Sequence, residues 1–160
     1  MTTLIAGAKA PVFKGVDQNG NPISLADFKG KKVVLYFYPK DDTPTCTVQA
    51  CNLRDNQHLL TDEGIEVIGV SIDPVKKHKK FETKYGLTFP LVADEDHKIA
   101  EQYGVWGEKK FMGRVFDGTH RTTFLIDEKG KIKHIIQKPD SKNHTRQVLD
   151  AWNESGNKTQ

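Results

Sequence analysis

The sequence predicts an α/β fold in which helices flank a central mixed sheet, preceded by a short β-hairpin. Three observations support this prediction. Apolar runs typical of buried strands alternate with segments of helical spacing, a strong turn signal lies near the N-terminus, and two late strands precede a final helix. The 160 residues, 36% of them hydrophobic, suffice for one core. We therefore expect one domain over residues 1–153 and a polar tail over residues 154–160.

The N-terminal hairpin is predicted over residues 10–25. Apolar residues stand on both sides of Asn19-Gly20, a dipeptide that strongly favours a tight hairpin turn. A brief helical turn follows over residues 24–28, and Gly30 ends it before the next strand.

Strands and helices then alternate along the chain. The central strand is predicted over residues 33–38, where an unbroken apolar and aromatic run is typical of a strand buried on both faces. Further strands are predicted over residues 65–72, 89–93, 122–126 and 132–136. Helices are expected from residue 44 onward and over residues 75–85, 97–103 and 143–152, and the Gly- and Lys-containing segment before residue 122 is predicted as a loop.

Both cysteines follow the central strand, and Cys46 is the first candidate nucleophile. Thr43 is a suitable N-cap, and Pro44 suits the first helical position because no backbone donor is needed there. Cys46 would then be about the third residue of a helix, where free backbone N–H groups and the helix dipole favour a thiolate over a thiol.

The pattern Pro39-xxx-Thr43-xx-Cys46 resembles the active-site signature of the peroxiredoxins, and Cys51, five residues after Cys46, resembles their Q subfamily, the bacterioferritin comigratory proteins. The resemblance continues over most of the chain, in residues 40–44, 50–55, 70–73, 78–81, 89–94, 103–109 and 121–127. One departure is Thr45, where the family usually has glycine. The resemblance implies a thioredoxin-like fold.

The resemblance also implies a thiol peroxidase that reduces hydrogen peroxide and organic hydroperoxides. Cys46 would attack the peroxide and become a sulfenic acid, with Thr43 and Arg121 contacting the sulfur or the peroxide and Pro39 shaping the pocket. The Thr43 hydroxyl could cap the helix and still contact the peroxide. Asp41 and Asp42 would oppose a thiolate, so we expect them to face solvent or pair with basic groups.

Cys51 is the expected resolving cysteine. Five helical residues advance by about 500° and rise by about 7.5 Å, which puts the two Cα atoms beyond the roughly 7 Å limit for a disulfide. We therefore expect the first turns of the helix to unwind before the Cys46–Cys51 disulfide forms. By resemblance, thioredoxin or a similar dithiol protein would reduce that disulfide.

Two other functions remain possible for a pair of cysteines in this kind of fold. A general disulfide oxidoreductase usually separates its cysteines by two residues, whereas four lie between Cys46 and Cys51. A thiol-based copper carrier is disfavoured by the same wide spacing and by Arg121, which would repel a cation. Cys51 could also be a core residue only.

Composition limits the remaining classes. The formal charge of +3 arises from basic residues interleaved with 21 acidic ones, so no nucleic-acid or membrane surface is expected. No apolar segment reaches the length of a membrane span or a signal-peptide core, and two cysteines do not make a secreted disulfide framework. The six histidines lack metal-ligand spacing. We expect a cytoplasmic monomer with no metal or other cofactor.

Overall fold

The computed structural model describes residues 1–157 and begins with the predicted hairpin. Strand β1 (Lys14–Val16) pairs antiparallel with β2 (Pro22–Ser24). In the turn between them, Asp17 accepts hydrogen bonds from the backbone N–H groups of Asn19 and Asn21 at 2.8 and 3.0 Å. A 3₁₀ turn over Leu25–Phe28 follows and is closed by a reciprocal capping box between Ser24 and Asp27.

The alternating strands and helices follow as predicted. The strands of the main sheet are β3 (Lys32–Phe37), β4 (Ile65–Ser71), β5 (Leu91–Ala93), β8 (Thr122–Ile126) and β9 (Ile132–Ile136). The helices are α1 (Pro44–Asp55), α2 (Gln57–Asp62), α3 (Val75–Tyr85), α4 (Lys98–Gln102) and α5 (His144–Asn157). Helix α5 thus continues beyond the predicted end at residue 152 into the expected tail, of which residues 158–160 lie outside the described residues.

The main sheet is mixed, with strand order β5-β4-β3-β8-β9. Strand β3 lies at its centre, parallel to β4 and antiparallel to β8. Alternate residues of β3 point to opposite faces, so Val34 and Tyr36 join one apolar cluster with α1, α3 and α5, while Val33 and Leu35 join another with α4 and the N-terminal hairpin. This architecture confirms the predicted α/β thioredoxin-like fold.

The segment before residue 122 is not the predicted loop for most of its length, so that prediction is wrong. It contains a second hairpin, in which β6 (Trp106–Phe111) pairs antiparallel with β7 (Arg114–Thr119) outside the main sheet. Met112 and Gly113 form its turn with φ of 50° and 78°, a backbone geometry that matches the twist of paired strands. Charged residues in both strands conceal the apolar alternation from which strands are usually predicted.

The helical segment that carries the cysteines is divided into two helices, α1 and α2. It is interrupted at Asn56, whose backbone leaves the helical conformation with φ of −111° and whose side chain donates to the carbonyl of Asn52 at 2.8 Å. An asparagine side chain can compete with backbone N–H groups for a helical carbonyl, and this competition explains the break. Within residues 1–157, no helix is long and apolar enough to cross a membrane.

His144 at the start of α5 makes the stability of the fold depend on pH. Its ring is fully buried, bonded to Thr123 and Gln147 at 3.0 Å each. Burial lowers the pKa of His144 to about 4, with a further lowering by Arg121 that the Gln147 bond opposes. An unfolded histidine has a pKa of about 6.5. Between these values the unfolded chain binds a proton that the native chain does not.

We predict that the free energy of unfolding falls by about 3 kcal/mol through this group as the pH drops from about 7 to 4. Urea unfolding at several pH values measures this. His144→Gln should remove this pH dependence of the free energy of unfolding. Substitution of the exposed His58 by glutamine should leave it unchanged. If the free energy of unfolding depended on pH equally in wild type and His144→Gln, His144 would not be the group responsible.

Candidate active site

Cys46 lies where the sequence predicts it, as the third residue of α1. Thr43 occupies the N-cap position with extended backbone angles, and Pro44 is the first helical residue. The side chain of Cys46 is buried, with 2% of the residue exposed, and both cysteines are free thiols. The sulfur is therefore held at a helix start, largely out of water, where neighbouring positive groups act on it strongly.

Arg121 provides such a group. Thr122 of β8 is paired with Phe37 of β3, so Arg121, one residue earlier, lies beside the point where β3 leads into the cysteine loop. Its Nη2 donates to the Sγ of Cys46 at 3.2 Å. Two residues that are 75 positions apart in sequence are thus joined by the antiparallel pairing of β3 and β8.

Gln49 orients this arginine and was missed by sequence reasoning. It is fully buried, and its Oε1 accepts a hydrogen bond from Nη1 of Arg121 at 2.6 Å. One guanidinium therefore contacts both the thiol and the amide one helical turn further on. The spacing of three residues from Cys46 was the signal that could have found Gln49.

Two buried donors of this region have no hydrogen-bond partner among the described residues, Nε2 of Gln49 and the hydroxyl of Tyr36. Burial raises the pKa of Tyr36 well above its usual value, and the sulfur of Cys46 and the Asp41 carboxylate add to that effect. The phenol therefore stays protonated. Buried unpaired donors are rare, and Nε2 of Gln49, on the amide that Arg121 contacts, suits a ligand with oxygen acceptors.

The predicted helix-capping bond of Thr43 is wrong. The hydroxyl donates to the carbonyl of Lys40 at 2.9 Å and makes no side-chain cap to the described part of α1. The preceding turn brings that carbonyl close enough to compete with the helix N–H groups. Pro39 is half-buried two residues after the end of β3, at the entry to the same turn.

Asp41 does not face solvent but is buried and paired. Its carboxylate accepts from the Tyr38 hydroxyl and contacts Nδ1 of His78, each at 2.6 Å, and its backbone N–H donates to Asp73 at 2.6 Å. Nε2 of His78 lies 3.0 Å from the carbonyl of Val92 and must carry a proton, because a carbonyl can only accept. Helix α3 thereby anchors the loop that leads to Cys46.

Asp42 pairs with basic and polar groups at the surface, as expected. Its carboxylate accepts from Lys84 at 2.8 Å and from the Tyr85 hydroxyl at 2.7 Å. Its φ of 57° places the turn in the left-handed region immediately before the N-cap. The lysines around His78 are exposed, so the basic run of α3 is a solvated helix face with one buried histidine.

Cys51 is half-buried in the same continuous helix as Cys46. Along an intact α-helix, five residues separate the two side chains by about 500° and about 7.5 Å of rise. A disulfide between them therefore requires that the first turns of α1 open. Among the described residues, no group of three or more potential ligands is arranged to hold a metal ion.

Comparison with known proteins gives one consistent answer. The model of the AhpC/TSA family matches residues 6–135. The chain is 50% identical over 150 residues to peroxiredoxin Bcp of Escherichia coli K12, covering 94% of this chain and 96% of that protein. It is 40% identical over 156 residues to peroxiredoxin Bcp of Bacillus subtilis, covering 98% and 99%.

Solved structures agree with the sequence relatives. A cysteine-to-serine mutant of Xylella fastidiosa PrxQ superimposes with a TM-score of 0.89 at 28% identity, covering 98% of this chain and 99% of that one. A Xanthomonas campestris bacterioferritin comigratory protein, described for its alkyl peroxide reduction activity, gives a TM-score of 0.85 at 29% identity, covering 94% and 99%.

The buried contact between Asp41 and His78 predicts that substitution of Asp41 lowers stability. Asp41→Ala should lower the free energy of unfolding by about 3 kcal/mol, because it leaves His78 and the Tyr38 hydroxyl buried without their partner. Denaturant unfolding measures the change. Asp41→Asn should lose less, since an amide can still accept from Tyr38 and donate to His78. Lys84→Met, which removes only an exposed partner, should change stability much less than Asp41→Ala does. A loss no larger in Asp41→Ala than in Lys84→Met would contradict the anchoring role.

Proposed function

Because the chain belongs to the AhpC/TSA family and is a thiol peroxidase of the bacterioferritin comigratory, or Q, group, we propose that Cys46 is its peroxide-reactive cysteine and Cys51 its resolving cysteine. The observation that carries the first assignment is the 3.2 Å contact between Nη2 of Arg121 and Sγ of Cys46. A permanent cation at that distance favours an ionised sulfur, which is the nucleophilic form.

The first step is a two-electron reduction of the peroxide. The thiolate attacks the terminal oxygen, the S–O bond forms as the O–O bond breaks, and the sulfur becomes a sulfenic acid. The other oxygen leaves as alkoxide or hydroxide and takes a proton from solvent. Arg121 and the unpartnered Nε2 of Gln49 can stabilise the negative charge that develops on the oxygens. Pro39 and Thr43 border the loop beside the sulfur and would shape the pocket.

The second step forms the disulfide. After the first turns of α1 unwind, the Cys51 sulfur attacks the Cys46 sulfenic acid, the S–S bond forms, and water leaves with the Cys51 proton. A loop closed over so few residues costs little additional entropy once the helix is open. Thr45 is exposed in the opening turn, and its β-branched side chain replaces the family's usual glycine there.

The catalytic cycle closes when a dithiol reduces the disulfide. We propose thioredoxin or a similar dithiol protein as this reductant, and hydrogen peroxide and organic hydroperoxides as substrates. The Xanthomonas relative described for alkyl peroxide reduction supports the organic class. An internal resolving cysteine needs no second chain, so we propose a monomer. The cytoplasm is the compartment in which such a reductant and free cysteines would coexist.

The function predicts a defined change in thiols. After one equivalent of hydrogen peroxide, the reduced wild type should lose both thiols and two hydrogens of mass. Cys51→Ser should gain one oxygen as a trappable sulfenic acid, and Cys46→Ser should not react quickly. Intact mass and thiol counting measure all three proteins.

Two results would contradict these assignments separately. Rapid peroxide consumption by Cys46→Ser would show that another group is the nucleophile. Turnover of Cys51→Ser at the wild-type rate with a dithiol reductant would show that the resolving thiol comes from outside the chain.

A further inference from the structure

The second hairpin places the ammonium of Lys109 at the carbonyl of Thr119, two residues before Arg121. Strands β6 and β7 form a separate two-stranded sheet, and the segment that follows β7 carries Arg121. His120 fixes the base of this hairpin, because its backbone N–H donates to Val105 at 2.7 Å and its Nε2 donates to the carbonyl of Glu108 at 3.0 Å. The hairpin and the arginine segment therefore form one connected unit.

Lys109 and Lys110 are neighbours on β6 but differ in environment. Successive residues of a strand point to opposite faces. Lys110 is exposed, whereas Lys109 is half-buried and its Nζ donates to the carbonyl of Thr119 at 2.9 Å. The stem of Lys109 crosses Gly118, where an added Cβ would lie only 3.1 Å from Cδ of the lysine. Glycine at this position thus permits the close approach of the lysine to β7.

The charge around Lys109 is unbalanced. Among the side chains that the structure describes, neither Lys109 nor Arg121 forms an ion pair with a carboxylate. Burial and the charge of Arg121 lower the pKa of Lys109, and the charge of the Cys46 sulfur opposes that shift. An anion near two partly desolvated cations would offset their repulsion, and a Cys46 thiolate is an anion that this site can supply.

We propose that Lys109 is a second cation of the active site, which acts together with Arg121 on the Cys46 thiolate and attracts anionic reactants to it. Arg121 makes the direct contact with the sulfur, while Lys109 acts through the local electrostatic potential. The ammonium uses one of its three donors on Thr119, so it keeps two for an approaching anion. This inference rests on Cys46 as the reactive thiol.

The test compares two alkylating reagents of similar size, neutral iodoacetamide and anionic iodoacetate, on proteins that also carry Cys51→Ser. The ratio of the iodoacetate rate to the iodoacetamide rate reports the potential at the sulfur and cancels changes in exposure or thiolate fraction. Lys109→Met should lower this ratio by about threefold, the factor expected for loss of one partly exposed charge. Lys109→Arg should restore most of it.

Lys110→Met is the matched control, because it removes the same charge from the opposite face of the same strand. It should leave the ratio at the Cys51→Ser value. An equal ratio in Lys109→Met and Lys110→Met would overturn the proposal, as would a failure of Lys109→Arg to restore the ratio. If Lys109→Met does not fold, Lys109→Gln replaces it with the same expected loss. Alkylation needs no peroxide, so a failure here is distinct from failure of the peroxidase assignment, which Cys46→Ser tests.

Discussion

The contact between the Arg121 guanidinium and the Cys46 sulfur is the interaction on which the rest of the site depends. It joins a helix start to a strand start, and each is fixed by a different part of the fold. The helix places the thiol among unpaired backbone donors, and the antiparallel register of β8 against β3 places the arginine beside it. Gln49 holds the other end of the guanidinium, so its orientation does not depend on the thiol alone.

The site must be rigid for one step and open for the next. The loop before α1 is anchored to α3 through Asp41 and His78, a buried network whose polar atoms are bonded. Helix α1 carries both cysteines in an arrangement that excludes a disulfide until its first turns open. On the proposed route, a firm anchor on one side and a short exposed helix start on the other confine the opening to the residues around Cys46.

Sequence reasoning recovered the order of the main elements because the buried strands and the residues that begin and end helices have strong local signals. It also found Cys46 and Arg121, whose contact the structure shows. It missed Gln49, because a spacing of three residues from Cys46 indicates a shared helix face but not a contact with Arg121, and it missed the second hairpin, where charged residues such as Lys109 conceal the strand alternation. The burial of Asp41 depends on His78, which lies 37 residues away inside a lysine-rich run, and local sequence gives no indication of that pairing. The prediction of a capping hydrogen bond from Thr43 was wrong because the carbonyl of Lys40 accepts from its hydroxyl instead.

The measurement that tests this account most directly is the rate constant for the reaction of Cys46 with hydrogen peroxide in Arg121→Gln, compared with wild type under single-turnover conditions. Glutamine preserves a donor but removes the charge and the forked contact. The account predicts a loss of about a hundredfold, comparable to removing a donor that stabilises a developing oxyanion. A rate constant within about twofold of wild type, in a variant of unchanged stability, would show that the Arg121 contact does not activate the thiol.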